Sequence, residues 1–232
     1  MKDAVERILP LERGLFFALN GSDSIFLDQV MWTISSLLVW IPLFLFILFL
    51  FFYKTPRKEA LLVTVFFILV FVCSDQISSS LFKPFFERFR PTHHPDFKDL
   101  VDIVNSYRGG RYGFISGHAT NSFGLAVFLS LVFRHRWVTL CALSWATLNS
   151  YSRIYLGVHF VSDIVAGMMV GSFLALLLYG IMIRLRSRLF HPLQSYKTHI
   201  YSQINGNLFA SFIIVYLLLL IIFSPFLSTL PH

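Results

Sequence analysis

The chain has 232 residues, 56% of them hydrophobic and only 13% charged, with 27 phenylalanines and a formal net charge of +7. That balance lies outside the soluble range, and several long apolar runs leave no room for a separate soluble domain, so 1–232 reads as a single integral-membrane domain. The cations sit in short loops between apolar runs, which points to an anionic lipid surface and excludes nucleic acid as the natural partner.

Residues 1–20 mix Lys2, Glu6, Arg7, Glu12 and Arg13 with Val5, Ile8, Leu9, Leu15 and Phe16. This is too charged for the core of a signal peptide. It predicts an amphipathic helix in the membrane interface, bent near Pro10 and stopped at Asn20-Gly21, with a second short turn capped by Asp23 or Ser24, so that 1–28 is interfacial. Between Asp28 and Lys54 lie 25 residues without a charge, enough for a first span. A second runs from about Ala60 to Phe82; its Asp75 is expected to pair with Ser or backbone groups inside the bundle. The third starts near Ser116 and ends before Arg134, the fourth covers about Trp137 to Ser152, the fifth Phe160 to Ile183 and the sixth Leu208 to Leu227. The prediction is an all-α, six-helix transmembrane bundle with an interfacial amphipathic N-terminal helix. The third and fourth runs fall short of the ~20 residues of a full crossing, so their polar ends must dip below the membrane surface.

With six spans, one side of the membrane carries Lys54, Arg57, Lys58, Arg134, Arg136, Arg184, Arg186, Arg188 and Lys197 with the single acid Glu59. Short, acid-poor basic loops favour the cytoplasm. The opposite side then holds the N-terminus and the loop 83–115, which Pro84, Pro91, Pro95, Gly109 and Gly110 keep irregular apart from a short helix expected over Asp99–Tyr107. Loops of that length in a compact domain are usually functional.

Three polar clusters stand out: Lys83-Pro-Phe-Phe-Glu-Arg-Phe-Arg90-Pro91, then Ser116-Gly117-His118, then Ser152-Arg153 followed by His159 and Asp163. Read as Lys-x6-Arg-Pro, Ser-Gly-His and Ser-Arg-x5-His-x3-Asp, they resemble the three-part signature of the type 2 phosphatidic acid phosphatase family, which shares its phosphate pocket with vanadium haloperoxidases. The resemblance covers about 80 residues, and Ile115 stands where the family usually has proline before Ser-Gly-His. It implies a bacterial membrane lipid phosphatase.

The residues suit that chemistry. Phosphoryl transfer needs cations on the equatorial oxygens, a nucleophile held in line and a proton for the leaving oxygen. Lys83, Arg90 and Arg153 are the cations, with Ser116 and Gly117 offering the N–H groups and positive dipole end of a helix start. His159 and Asp163 share a face if their helix has begun, so Asp163 holds one ring nitrogen and leaves the other as nucleophile. The resemblance implies that His118 protonates the leaving oxygen and then activates water. No cofactor or metal is called for, and His93, His94 and Asp96 read as solvated loop residues. Arg88, Arg108, Arg111 and Tyr112 are candidates for a second phosphate or a headgroup. That spare charge ranks undecaprenyl pyrophosphate and lipid A phosphate above phosphatidylglycerophosphate or phosphatidic acid, at the periplasmic face of a bacterial inner membrane. A haloperoxidase is disfavoured by the apolar spans, an inert lipid-binding protein by the complete set of groups, and a transporter by the lack of repeated halves.

Overall fold

The structure, a computed structural model, describes residues 5–189 and 200–229. Lys2 and Lys197 therefore lie outside the described residues. Helix α1 spans Leu9–Leu19 with Pro10 in its first turn, where a missing N–H costs nothing, and a turn over Arg7 and Ile8 separates it from helical residues at Val5 and Glu6. Its outer face carries Leu11 and Leu15, while Phe16 and Glu12 are buried against the rest of the protein. Helix α2, Ile25–Ser35, is capped by Ser24, whose Oγ accepts from the Leu27 N–H at 3.3 Å.

The predicted first span is two helices. A 3-10 turn, Leu38–Trp40, joins α2 to α3, Ile41–Phe52, and the two limbs are bent by 70°. The reason is a polar corner inside an apolar run. The Trp40 indole N–H donates to the Ile34 carbonyl at 2.9 Å, and the Ser35 hydroxyl accepts from Arg153 across the bundle. Helix α4, Arg57–Gln76, continues through a π-helical stretch, Ile77–Phe82, in which the Lys83 N–H reaches the Ser78 carbonyl, and ends in the turn Lys83–Phe86. Then follow α5, Gly117–Phe133; α6, Arg136–Tyr155; α7, Val161–Leu189; α8, Gln203–Ile222; and the short α9, Ser224–Leu227.

Among the described residues there is no strand, only an isolated bridge between Phe89 and Tyr112 in the loop 83–115. The helix expected over Asp99–Tyr107 is instead two 3-10 turns, Lys98–Leu100 and Val104–Ser106, separated by extended backbone at Val101 and Ile103.

By length and composition, Arg57–Phe86, Val161–Leu189 and Gln203–Ile222 are able to cross a membrane, and the bent pair makes a fourth. Gly117–Phe133 is apolar but too short to qualify, and Arg136–Tyr155 is too polar. These two are also the most enclosed. Helix α5 buries Ala119, Phe123, Ala126, Phe128 and Leu129 among its neighbours, whereas Leu61, Ile68, Phe173, Leu176 and Leu218 leave large apolar surfaces outward, as a lipid-facing wall requires.

Close approach of α5 and α7 sets up the site. A Cβ at Gly171 would lie 2.1 Å from the Thr120 carbonyl oxygen, so only glycine permits this backbone contact. At the same end of the pair, the Ser116 N–H donates to the Asp163 carbonyl at 3.1 Å. The starts of two helices, each bearing part of a predicted motif, are thereby fixed side by side.

Candidate active site

His159 precedes α7 and Asp163 lies in its first turn, so the carboxylate curls back to the helix start: Asp163 Oδ2 accepts from the Phe160 N–H at 3.0 Å and lies 3.3 Å from His159 Nδ1. On the other side of the ring, Nε2 lies 3.2 Å from Arg90 Nη1, which also donates to the Val158 carbonyl. A guanidinium has no lone pair to offer, so Nε2 is the acceptor and Nδ1 carries the proton toward Asp163. Burial first, then Arg90, Arg153 and Lys83, hold the His159 pKa well below its ordinary value, and the ring is neutral.

The loop has to come very close to complete this arrangement. A Cβ at Gly113 would stand 3.1 Å from Asp163 Oδ2 and 3.5 Å from His159 Nδ1. Glycine is the residue that fits.

Around Nε2 the cations converge from three elements on one cavity of about 290 Å³, which Lys83, Arg90, Arg153, Gly117, His118 and His159 all line. Arg90 is almost buried; burial and then Arg153 lower its pKa to about 10, so it remains a cation. Arg153 donates to the hydroxyls of Ser35 and of Tyr107, the latter at 3.0 Å. Burial raises the Tyr107 pKa but Arg153 outweighs it, and the net shift is downward. His118 is held by the Ser35 carbonyl, 3.3 Å from Nε2. Among the described residues no group of three His, Cys, Asp or Glu side chains is arranged to hold a metal ion.

Such a cluster, a neutral histidine backed by a carboxylate and facing three cations at a helix start, is suited to covalent transfer of a phosphoryl group. The PAP2 superfamily model matches residues 64–187, which include every residue of the cluster. The chain belongs to the PAP2 superfamily. It is similar to the lipid A 4'-phosphatase of Porphyromonas gingivalis, 48% identical over 184 residues, 79% of this chain and 78% of that protein. The lipid A 4'-phosphatase of Bacteroides thetaiotaomicron is 39% identical over 80% of this chain and 83% of its own. Among solved structures, the transmembrane PAP2 type phosphatidylglycerolphosphate phosphatase from Bacillus subtilis superposes with a TM-score of 0.59 at 25% identity, covering 80% of this chain and 90% of that one. Aquifex aeolicus LpxE shares the fold, with a TM-score of 0.53 at 22% identity over 73% of this chain and 95% of its own. This PAP2 protein is thus an integral-membrane lipid phosphatase, a phosphoric ester hydrolase.

The structure corrects several site expectations for this PAP2 phosphatase. Arg88 does not reach the cavity. Its guanidinium is fully buried behind His159, with Nη1 donating to Asp163 Oδ1 at 2.8 Å and Ser162 Oγ at 2.7 Å, and Nη2 to Glu12 Oε1 at 2.6 Å. It also lies over the Phe160 ring, 4.4 Å from the centroid. Burial opposes its charge, but Asp163 and Glu12 prevail and raise its pKa.

Nor do Arg108, Arg111 and Tyr112 line the cavity. Arg108 donates to the Thr92 carbonyl at 2.9 Å, and the Thr92 hydroxyl donates back to the Arg108 carbonyl, closing the loop on itself. Arg111 covers the rings of Phe89 and Tyr112. Ser116 is fully buried and caps α5, its Oγ accepting from the Ala119 N–H at 3.4 Å, so Gly117 and not Ser116 faces the cavity. Among the described residues Asp75 is hydrogen-bonded through its backbone carbonyl, which accepts from Ser78 and Ser79 Oγ, and the residue also lines the cavity.

Sequence reasoning missed Glu12, Ser35, Tyr107, Asn121 and Asn149. The last two had a signal, since Asn121 lies three residues after His118 and Asn149 four residues before Arg153, one helical turn from motif members.

Proposed function

We propose that this protein removes the phosphate of an acylated glycolipid of the lipid A type through a phosphohistidine at His159, without a metal. One observation carries the chemistry: His159 Nε2 is directed at the cavity and its three cations while Nδ1 rests on Asp163. Nε2 attacks phosphorus, the P–O bond to the lipid breaks, and the leaving oxygen takes a proton from His118, whose ring the Ser35 carbonyl orients. Water activated by His118 then attacks the phosphohistidine, releasing phosphate and regenerating His159. Lys83, Arg90, Arg153 and the N–H groups at the start of α5 balance the charge on the equatorial oxygens.

Similarity to two lipid A 4'-phosphatases over four fifths of the chain supports the substrate. Arg88 is taken up by Asp163, Ser162 and Glu12 and Arg108 by the loop, so among the described residues Lys83, Arg90 and Arg153 are the cations that line the cavity. This favours a monoester over a pyrophosphate. Purified enzyme is expected to release phosphate from lipid A at full rate in excess chelator and to be inhibited by vanadate, a mimic of five-coordinate phosphorus. Loss of activity in chelator, restored by a divalent cation, would overturn the metal-free mechanism.

The same reading places six crossings in the bilayer, with α5 and α6 spanning as enclosed, shortened helices and the site at the periplasmic face. Single cysteines introduced in Lys54–Glu59 and in the loop 83–115 are then expected to react from opposite sides of the membrane with an impermeant thiol reagent. Labelling of both from one side would remove the topology.

A further inference from the structure

Below the cations the cavity continues between helices, and its walls change character turn by turn. On α5 the lining residues are His118, Asn121 and Leu125; on α6 they are Arg153, Asn149 and Trp145; on α4 they are Asp75 and Phe71. At 1.5 Å rise per residue, Asn121 and Asn149 lie roughly 4.5–6 Å along their helices from His118 and Arg153, and Leu125 and Trp145 a further turn away. The cavity is thus layered: cations and histidines, then a carboxylate and two amides, then hydrocarbon and indole.

The middle layer is unusual. Asn149 is only 5% exposed, yet no hydrogen bond to its side-chain amide exists among the described residues. Asn121 Oδ1 is a buried atom with no hydrogen-bond partner among the described residues. The Asp75 carboxylate, which is only partly buried, has no hydrogen bond among the described residues, and its charge acts on Lys83. A buried polar atom left as Asn121 Oδ1 is left is costly unless a ligand completes it.

The position of the layer identifies which part of a ligand it meets. In the proposed mechanism the leaving oxygen lies at His118, so the atoms bonded to that oxygen continue past Asn121 on the same helix face. We infer that Asp75, Asn121 and Asn149 form a leaving-group subsite for an uncharged lipid segment bearing hydroxyl or amide groups within a few atoms of the phosphoester oxygen. An acylated amino sugar has that chemistry, with its chains running on past Phe71, Leu125 and Trp145. A polyprenyl chain has nothing to offer the amides. A diphosphate would leave a phosphate anion facing Asp75, which repels it. This inference rests on the reading of His118 as the general acid and deepens the substrate assignment.

The test uses the full-length enzyme in mixed micelles and compares kcat/KM for four probes: a diacylated glucosamine 4-phosphate, a polyprenyl monophosphate, a polyprenyl diphosphate and p-nitrophenyl phosphate. Asn121→Leu and Asn149→Leu, which keep size and remove polarity, are expected to lower the acylated-sugar value by about tenfold or more, because a site built for hydrogen bonds loses most when they vanish. The polyprenyl monophosphate and p-nitrophenyl phosphate values should stay within about threefold. Asp75→Asn should raise the diphosphate rate relative to the monophosphate by about fivefold.

A parallel fall on all probes, or ratios that do not move, overturns the subsite. If a leucine variant does not fold, the corresponding alanine variant is judged by the same ratios. Wild-type enzyme that leaves the acylated sugar phosphate intact would instead overturn the substrate reading, and the Asp75→Asn ratio between the two polyprenyl probes still tests the subsite on its own.

Discussion

His159→Asn is expected to lower kcat by about 10⁴-fold or more, because it removes the atom that forms the covalent intermediate while keeping a side chain of similar size and polarity. Rapid quenching of wild-type enzyme with a labelled substrate should trap acid-labile, base-stable phosphoprotein, and the variant should trap none. Turnover by His159→Asn within tenfold of wild type would remove the nucleophile from this position. His118→Ala separates from it by substrate: the loss should be large for an alkyl phosphate and small for p-nitrophenyl phosphate, whose leaving group needs no proton. The pH profile carries a further mark. Burial and the surrounding cations hold His159 neutral, so protonation of the nucleophile sets in below the ordinary imidazole range, and mildly acid buffer should cost little on that account.

Arg88→Met should be the most damaging substitution for stability. Arg88 is fully buried between Asp163 and Glu12, at 2.8 and 2.6 Å. Removing the cation leaves two carboxylates facing each other out of water, and breaking such a buried pair costs about 3–5 kcal/mol. Thermal unfolding in detergent should show it, accompanied by a fall in kcat as Asp163 loses the contact that orients it toward His159. Lysine is no substitute, since one ammonium cannot fork to Asp163, Ser162 and Glu12 together. Arg111→Ala, an exposed cation resting on two rings, should shift stability by no more than about 1 kcal/mol. An Arg88→Met protein with wild-type unfolding temperature and turnover would show the network to be dispensable.

The two arginines also mark how far the sequence was legible. The three motif clusters were readable because their residues and spacings resemble the PAP2 signature, and Lys83, Arg90, His118, Arg153 and His159 do line one cavity, with Asp163 behind His159. All-α architecture was readable from the apolar runs. What a spacing does not say is whether a long side chain points into a cavity or behind it. Arg88 stands two residues from Arg90 in an irregular loop, and the two diverge to opposite sides of His159. Glu12 was invisible for another reason: its partner is 76 residues away, and an acid in an amphipathic helix looks like any interfacial charge. The break after Ser35 was hidden because two serines, a leucine pair and a tryptophan are ordinary inside a span; only the tertiary contacts of Ser35 and Trp40 turn them into a corner.

The π-helical stretch at Ile77–Phe82 adds a constraint of register. In a regular α-helix residues five apart are rotated by about 140°, yet Ser78 and Lys83 both face Gly117: a Cβ there would meet Ser78 Oγ at 3.2 Å and Lys83 Nζ at 3.9 Å. The wider winding, marked by the bond from the Lys83 N–H to the Ser78 carbonyl, brings them into line. Winding is therefore part of the catalytic information. The same residues wound as a regular α-helix would leave the lysine about 140° from Ser78 around the axis, carrying its ammonium off the anion with every motif residue still spelled correctly.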